Sequence, residues 1–198
     1  MEYVIKLPYS DKNLVLKLSF IFVIVVIMAS NTTLASGFSF QSIQADIEKK
    51  HKNIKHIKAD DLLKLDHNTV IFDVREKQEF DVSHIKNAIR IKPDIDSIKF
   101  IEEFSNQLEG KNLVFYCSVG RRSSALASRL QPLLIKKGVH EVYNLRGGIF
   151  QWHNEGKSLV QNGGLTKHIH PYSPLWGLLL ENKQSIKYSP DTPTDKPE

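Results

Sequence analysis

The segment from Phe115 to Ser124 combines a nucleophilic side chain with cations and a flexible backbone. It reads Phe-Tyr-Cys-Ser-Val-Gly-Arg-Arg-Ser-Ser, and Cys117 is the only cysteine in the 198 residues. A cysteine thiolate is a strong nucleophile and can carry a transferred group as a covalent intermediate. A lone cysteine is also often a small buried hydrophobic residue, so the neighbours of Cys117 decide between the two interpretations.

The sequence around Cys117 predicts an anion-binding loop. An apolar strand ends at Cys117, and a helix is expected to begin near Ser123, capped by Ser123 or Ser124. The first N–H groups of a helix lack partners within it and carry the positive end of its dipole. These surroundings favour the thiolate over the thiol. The residues expected to bind an anionic substrate are Ser118, Val119, Gly120, Arg121 and Arg122.

Short apolar strands alternate with amphipathic helices in the part of the chain that must position this loop. Strands are predicted at residues 69–74, 88–91, 112–117 and 141–145, and helices over 98–108 and from 123 toward 137. Parallel strands need helix-length crossovers, and nearly continuous apolar strands need cover on both faces. The predicted fold class is therefore α/β, with a parallel sheet flanked by helices on both faces. Ligands of such sheets bind beyond the carboxyl ends of the strands, which is where Cys117 falls.

The first 35 residues are typical of a targeting segment. Lys12 and Lys17 precede an apolar run at residues 18–29, and residues 33–35 form a candidate cleavage site. The run is shorter than the about 20 residues that a membrane-spanning helix needs. We therefore expect residues 1–35 to be a signal peptide and the protein to be exported, to the periplasm or outside the cell. The alternative is an uncleaved membrane anchor that leaves the domain outside the cytoplasm.

The length and the charge of the chain predict one globular domain with extensions. The 27 basic and 22 acidic residues leave a net charge of +5 but form no long run of one sign, so nucleic acid is not an expected partner. A mild positive charge instead favours small anions. The single cysteine excludes an internal disulfide.

Changes in composition divide the rest of the chain. A polar linker is predicted at residues 36–53, the domain at 54–160, a C-terminal extension at 161–187 and a disordered tail at 188–198. The leucines of the extension either pack back on the domain or contact a membrane or partner. His168 and His170 lack the companions of a metal site, so no metal is predicted.

Several sequence blocks, in order, resemble the rhodanese family. The loop is similar to the family's active-site pattern Cys-x-x-Gly-x-Arg-Ser. The blocks are Asp73–Arg75 followed by Glu79 and His84, then Cys117–Ser123, then Leu145–Ile149 followed by Trp152. The resemblance covers about residues 54–160. Two positions depart from it, because Ser83 and Asn87 stand where the family usually has glycine.

The resemblance implies a three-layer α/β domain with sulfurtransferase activity. Cys117 would take the sulfane sulfur of a small anionic donor such as thiosulfate and pass it, as a persulfide, to a thiol or cyanide acceptor. Neither a metal nor an organic cofactor is required. Asp73 and Arg75 would brace the fold through an ion pair with residues such as Glu79, and His84 and Trp152 are interpreted as structural. A membrane would be a partner only if the N-terminal segment is uncleaved.

Two other functions remain open at this point. Phosphatases and arsenate reductases of this general fold place an arginine six positions after the cysteine, whereas here Arg122 lies five positions after Cys117 and Ser123 occupies the sixth. The tighter loop leaves less room for a tetrahedral phosphate. In a non-catalytic rhodanese-like binding module Cys117 would be incidental, but such modules commonly lack the cysteine.

Overall fold

A computed structural model describes residues 38–65 and 67–191 of the chain. The predicted signal peptide at residues 1–35, and residues 192–198 of the predicted tail, lie outside the described residues. Within the described ranges, no helix combines the length and apolar character needed to cross a bilayer.

A five-stranded parallel sheet forms the centre of the domain. Its strands are β1 (Lys55–Ile57), β2 (Thr69–Asp73), β3 (Ile89–Arg90), β4 (Asn112–Tyr116) and β5 (Glu141–Leu145). They lie in the order β1-β5-β4-β2-β3, and every neighbouring pair is parallel. The predicted α/β class is confirmed. Strand β1 was not predicted, because three residues are too few for a sequence pattern and their pairing with β5 makes them a strand.

Helices cover both faces of this sheet. They are α1 (Phe40–Lys50), α2 (Ala59–Leu62), α3 (Lys77–Val82), α4 (Ser97–Phe104), α5 (Arg121–Lys136), α6 (Gly148–Asn154) and α7 (Pro174–Gly177), with 3₁₀ turns at Ser105–Gln107 and Lys183–Ser185. Successive strand side chains point to opposite faces, and residues 113–116 of β4 are all fully buried. Both faces of β4 are therefore packed, as expected for a parallel sheet.

Aromatic rings fill the layer between the sheet and α4. Phe72 of β2 packs against Phe100 and Phe104 of α4, with centroid distances of 5.2 and 5.3 Å, and stacks on Phe115 of β4 at 5.1 Å. Burying a phenylalanine side chain contributes about 1.5–3 kcal/mol. This cluster fixes the two strands whose carboxyl ends carry the candidate site.

Part of the predicted polar linker, residues 36–53, forms a helix in the structure. Residues 40–50 of the predicted linker form α1, and Ile43 and Ile47 are 4% and 2% exposed. Two isoleucines four residues apart lie on one face of a helix. That face is apolar enough to pack on the domain although the other residues of α1 are mostly polar.

The C-terminal extension also packs on the domain. Strands β6 (Leu159–Gln161) and β7 (Gly164–Thr166) form an antiparallel hairpin, and Leu180 is 1% exposed. Asn154 of α6 binds the backbone of this segment, through its Nδ2 to the carbonyl of Leu179 at 2.8 Å. Leu175 and Leu178 are 57% and 65% exposed, so the leucines of the extension pack only in part.

Residues 188–191 differ from the predicted disordered tail. The carbonyl of Tyr188 accepts a hydrogen bond from Gln78 at 2.9 Å, and Asp191 pairs with His168 at 3.0 Å. Contacts with residues far away in the sequence order these positions. Composition alone carries no information about such contacts.

Candidate active site

Cys117 lies directly after β4 at the carboxyl edge of the sheet and is 1% exposed. Its carbonyl accepts from the N–H of Ile149 at 2.9 Å, and the carbonyl of Ser118 accepts from Phe150 at 3.0 Å. Gly148 makes this contact possible, because a Cβ there would lie 2.3 Å from the Cys117 oxygen. The start of α6 thus holds the first two carbonyls of the loop.

The loop leaves several backbone N–H groups for a ligand. The carbonyl of Val119 is also bound, by Gln44 Nε2 from α1 at 2.9 Å. Gly120 has φ +93° and precedes the first residue of α5 without a side-chain cap. Within the described part of the chain, the N–H groups of Ser118, Val119 and Gly120 donate no hydrogen bond. Together with the unpartnered first N–H groups of α5, they provide the donors of an anion site.

Arg122 is held beside Cys117 by a bidentate ion pair. Its Nη1 and Nη2 donate to the two carboxylate oxygens of Glu79, each at 2.9 Å, and Nη2 also donates to Ser118 Oγ at 3.0 Å. Ser118 Oγ donates to Glu79 at 2.8 Å. Burial lowers the pKa of Arg122, but the Glu79 hydrogen bond and the negative charge of Cys117 raise it overall. The guanidinium is therefore a fixed positive charge at the loop.

Glu79 stays ionised in this setting. Its side chain is 3% exposed. Burial raises its pKa, but the hydrogen bond and charge of Arg122, with the charge of Arg75, lower it overall. The sequence predicted that Asp73 and Arg75 form an ion pair with residues such as Glu79. In the structure Glu79 forms its ion pair with Arg122 instead, because α3 directs its side chain toward the loop that follows β4.

Asp73 and Arg75 pair with each other in the interior, where both are fully buried. Arg75 Nη2 donates to Asp73 Oδ2 at 2.6 Å, and the same nitrogen donates to the carbonyl of Ser83 at 2.6 Å. The contacts tie the end of β2 to the end of α3.

The backbone explains the two positions at which this chain lacks the usual glycine of the family. Ser83 is extended, with φ −172°, a conformation that any residue adopts. Asn87 is left-handed, with φ +64°, a conformation that Asn tolerates better than most residues.

The two loop arginines diverge. Arg121 is about half exposed, pairs with Asp46 of α1 at 3.5 Å and lies under the ring of Trp176, with 5.7 Å to the centroid. Arg122 turns to Glu79 instead. The sequence predicted that both arginines bind the anionic substrate. Of the two, the structure brings Arg122 into hydrogen-bond contact with another loop side chain, Ser118.

The predicted serine caps are wrong. Helix α5 begins at Arg121, so Ser123 and Ser124 lie inside its first turn. Ser123 Oγ donates to Asn144 Oδ1 at 2.6 Å, and Ser124 Oγ donates to the carbonyl of Arg121 at 3.0 Å. The left-handed Gly120 starts the helix two residues earlier than the serine pattern suggested.

Three contacts of the site had no signal in the sequence. Gln44 of the predicted linker holds the loop, and Tyr172 and Trp176 of the extension cover its arginines. Each of these residues lies about 50 or more positions from its partner in the sequence. A local sequence pattern cannot predict contacts over such a separation. In the described ranges, no group of three metal-ligating side chains comes together.

The central part of this chain is similar to known proteins of one family. The profile of the rhodanese-like domain family matches residues 58–155. The tRNA uridine(34) hydroxylase of Bacillus velezensis is 33% identical over 113 residues, 54% of this chain and 33% of that protein. The corresponding protein of Staphylococcus haemolyticus is 41% identical over 88 residues, 42% of this chain and 26% of that protein. The chain thus spans a third or less of the length of these curated relatives.

Among solved structures, this chain is similar to a rhodanese-related protein from Thermoplasma volcanium. The two are 30% identical, and the match covers 54% of this chain and 97% of the other, with a TM-score of 0.43.

Proposed function

We propose that this chain, which belongs to the rhodanese-like family, transfers sulfane sulfur from a small anionic donor to a thiol or cyanide through a persulfide on Cys117. Thiosulfate is the simplest donor of this class. The observation that carries the proposal is the loop of residues 117–122, in which Cys117 lies among unpartnered backbone N–H groups beside the fixed charge of Arg122.

The reaction proceeds in two displacements. The Cys117 thiolate attacks the outer sulfur of thiosulfate, an Sγ–S bond forms, the S–S bond of the donor breaks, and sulfite leaves with the electron pair. The acceptor thiolate or cyanide then attacks the outer sulfur of the persulfide and releases the Cys117 thiolate. The N–H groups of residues 118–122 stabilise the negative sulfur as charge develops on it. Such covalent catalysis is of the ping-pong type.

The position of Arg122 argues against a phosphatase. Glu79 and Ser118 occupy one edge of its guanidinium, so this arginine is not free to bind two phosphate oxygens with that edge. A non-catalytic binding module would have no need of a cysteine beside a partly buried bidentate ion pair. Sulfur transfer is therefore the function that the site supports best.

The macromolecule or thiol that receives the sulfur from Cys117 is a separate question from the identity of the donor. The curated relatives are named for tRNA, which makes tRNA the first alternative partner to examine. The expectation that nucleic acid is not a partner stays a prediction, as does the thiol acceptor. Export of the domain is likewise part of the proposal, since the targeting segment lies outside the described residues.

Whole-protein mass spectrometry tests the proposed function. Incubation with thiosulfate should add the mass of one sulfur atom, and a thiol reductant should remove it. Cys117→Ser should gain nothing. If folded wild-type protein gains no sulfur from any sulfane donor, the chain is not a sulfurtransferase. Binding without turnover would then be the function to test.

A further inference from the structure

The C-terminal extension covers the arginine of the candidate site with an aromatic ring. The ring of Tyr172 lies on the guanidinium of Arg122, with 4.8 Å from the guanidinium carbon to the ring centroid. Tyr172 lies outside residues 58–155, which match the family profile. A guanidinium within about 6 Å of an aromatic centroid is attracted by the negative face of the ring.

The backbone is strained where it presents this ring. Tyr172 has φ +64°, and the left-handed region is costly for a bulky side chain. Two hydrogen bonds hold the turn. The N–H of Tyr172 donates to His170 Nδ1 at 3.0 Å, and the N–H of Ser173 donates to the carbonyl of Pro171 at 2.8 Å. A strained, tightly held turn that directs a half-exposed ring onto one charged group points to a role for that contact.

Tyr172 and Glu79 restrain Arg122 in complementary ways. Glu79 and Ser118 bind the edge of the guanidinium and fix its direction within the plane. Tyr172 packs on the face of the guanidinium, which limits the tilt of its plane. Without the ring, we expect the guanidinium to tilt about the Glu79 contact and its charge to move away from Cys117.

We propose that Tyr172 is a positioning residue, which holds the charge of Arg122 beside Cys117 and so determines the affinity of the site for anionic donors. The proposal rests on the proposed function. Tyr172 acts through Arg122 and has no chemical role of its own. Its hydroxyl is not part of the contact, so the aromatic ring alone suffices.

Steady-state kinetics of the full chain provide the first test. Tyr172→Leu should raise the KM for thiosulfate about three- to tenfold, the range expected for a partly desolvated cation–π contact, with a smaller change in kcat. Tyr172→Phe should keep the wild-type KM. Leu178→Ala is the matched control, because Leu178 is an exposed apolar residue of the same extension. Equal KM values for the Leu and wild-type proteins would overturn the proposal.

A second measurement is independent of sulfur transfer. The alkylation rates of Cys117 with anionic iodoacetate and neutral iodoacetamide report, as a ratio, the positive charge beside the sulfur. Tyr172→Leu should lower this ratio about three- to tenfold, and Tyr172→Phe and Leu178→Ala should not. An unchanged ratio in the Leu variant overturns the positioning role. A lowered ratio in a protein that transfers no sulfur overturns only the proposed function.

Discussion

The carboxylate of Glu79 accepts a hydrogen bond from each terminal nitrogen of Arg122, both at 2.9 Å, although the two residues lie 43 positions apart in the sequence. The pair joins α3, which follows β2 in the chain, to the loop that follows β4. It connects the stability of the fold to the electrostatics of the candidate site, because the same guanidinium supplies charge to the loop.

Glu79→Gln should therefore affect both stability and sulfur transfer. Removing one member of a fully buried pair costs about 3–5 kcal/mol. The Arg122 side chain is 26% exposed, so solvent screening reduces the expected loss to about 2 kcal/mol. Urea denaturation measures it. Asp81→Asn removes the exposed pair with Lys77 in the same helix and should cost less than about 0.5 kcal/mol. Equal losses in the two variants would contradict this interpretation.

The two arginines of the loop should differ in their effect on catalysis. Arg122→Ala should lower kcat/KM for thiosulfate about ten- to a hundredfold, since hydrogen bonds to charged groups contribute about 1.5–3 kcal/mol. Arg121→Ala should change mainly the KM, a few-fold, and weaken its dependence on salt. Thiosulfate turnover at two ionic strengths checks both. A larger loss in the Arg121 variant would contradict the assigned roles.

Gly148→Ala should displace the loop. The added Cβ would lie 2.3 Å from the Cys117 oxygen and 2.7 Å from the Ser118 oxygen, and φ is +60°. Gly156→Ala is the control, because its φ is +68° but nothing lies within 4 Å. The free energy of unfolding should fall by about 1–2 kcal/mol in the control, which is the cost of the left-handed backbone alone. It should fall by clearly more in the Gly148 variant, because the clash is added to that cost. Thermal denaturation distinguishes them, and equal losses would show that the loop adapts.

Acidification should loosen the turn that holds Tyr172. Burial lowers the pKa of His170, with Glu79 acting to raise it and Arg75 and Arg122 to lower it. Its Nδ1 must be unprotonated to accept from the N–H of Tyr172. The pKa of His170 in the folded protein lies below its unfolded value of about 6.5. The stability that the neutral imidazole contributes is therefore complete above the unfolded pKa, and it is lost as the pH falls through the folded pKa.

His170→Asn tests this dependence, since the Asn oxygen can accept the same hydrogen bond without titrating. Urea denaturation between pH 8 and pH 5 should show a smaller loss of stability in the variant than in wild type. His140→Asn is the control, because His140 is exposed and binds Asn112. If the His170 variant loses as much stability as wild type over this range, another group is responsible.

Export should remove residues 1–35 and leave Ser36 at the N-terminus of the mature protein. N-terminal sequencing of protein from the native host decides this. An intact Met1 in the membrane fraction would support the anchor alternative. An intact Met1 in soluble cytoplasm would contradict export.

The sequence by itself determined the class of the fold and the position of Cys117 directly after a buried strand. The apolar strand that ends at Cys117, the glycine that follows and the helical periodicity after it are all local signals within about 20 residues. They suffice because a parallel strand followed by a helix places the intervening loop at the carboxyl edge of the sheet. The ion pair of Asp73 with Arg75 joins residues only two positions apart, although the sequence indicated Glu79 as their partner.

Only the tertiary structure decided which groups meet at the loop. The pairing of Glu79 with Arg122, the hold of Gln44 on Val119 and the ring of Tyr172 on Arg122 join segments that are 43, 75 and about 50 residues apart. Such contacts depend on the strand order β1-β5-β4-β2-β3 and on where α1 and the extension pack. Hydrophobic periodicity indicates which face of a helix or strand is apolar. Which partner a charged side chain contacts depends on how the helices and strands pack against one another.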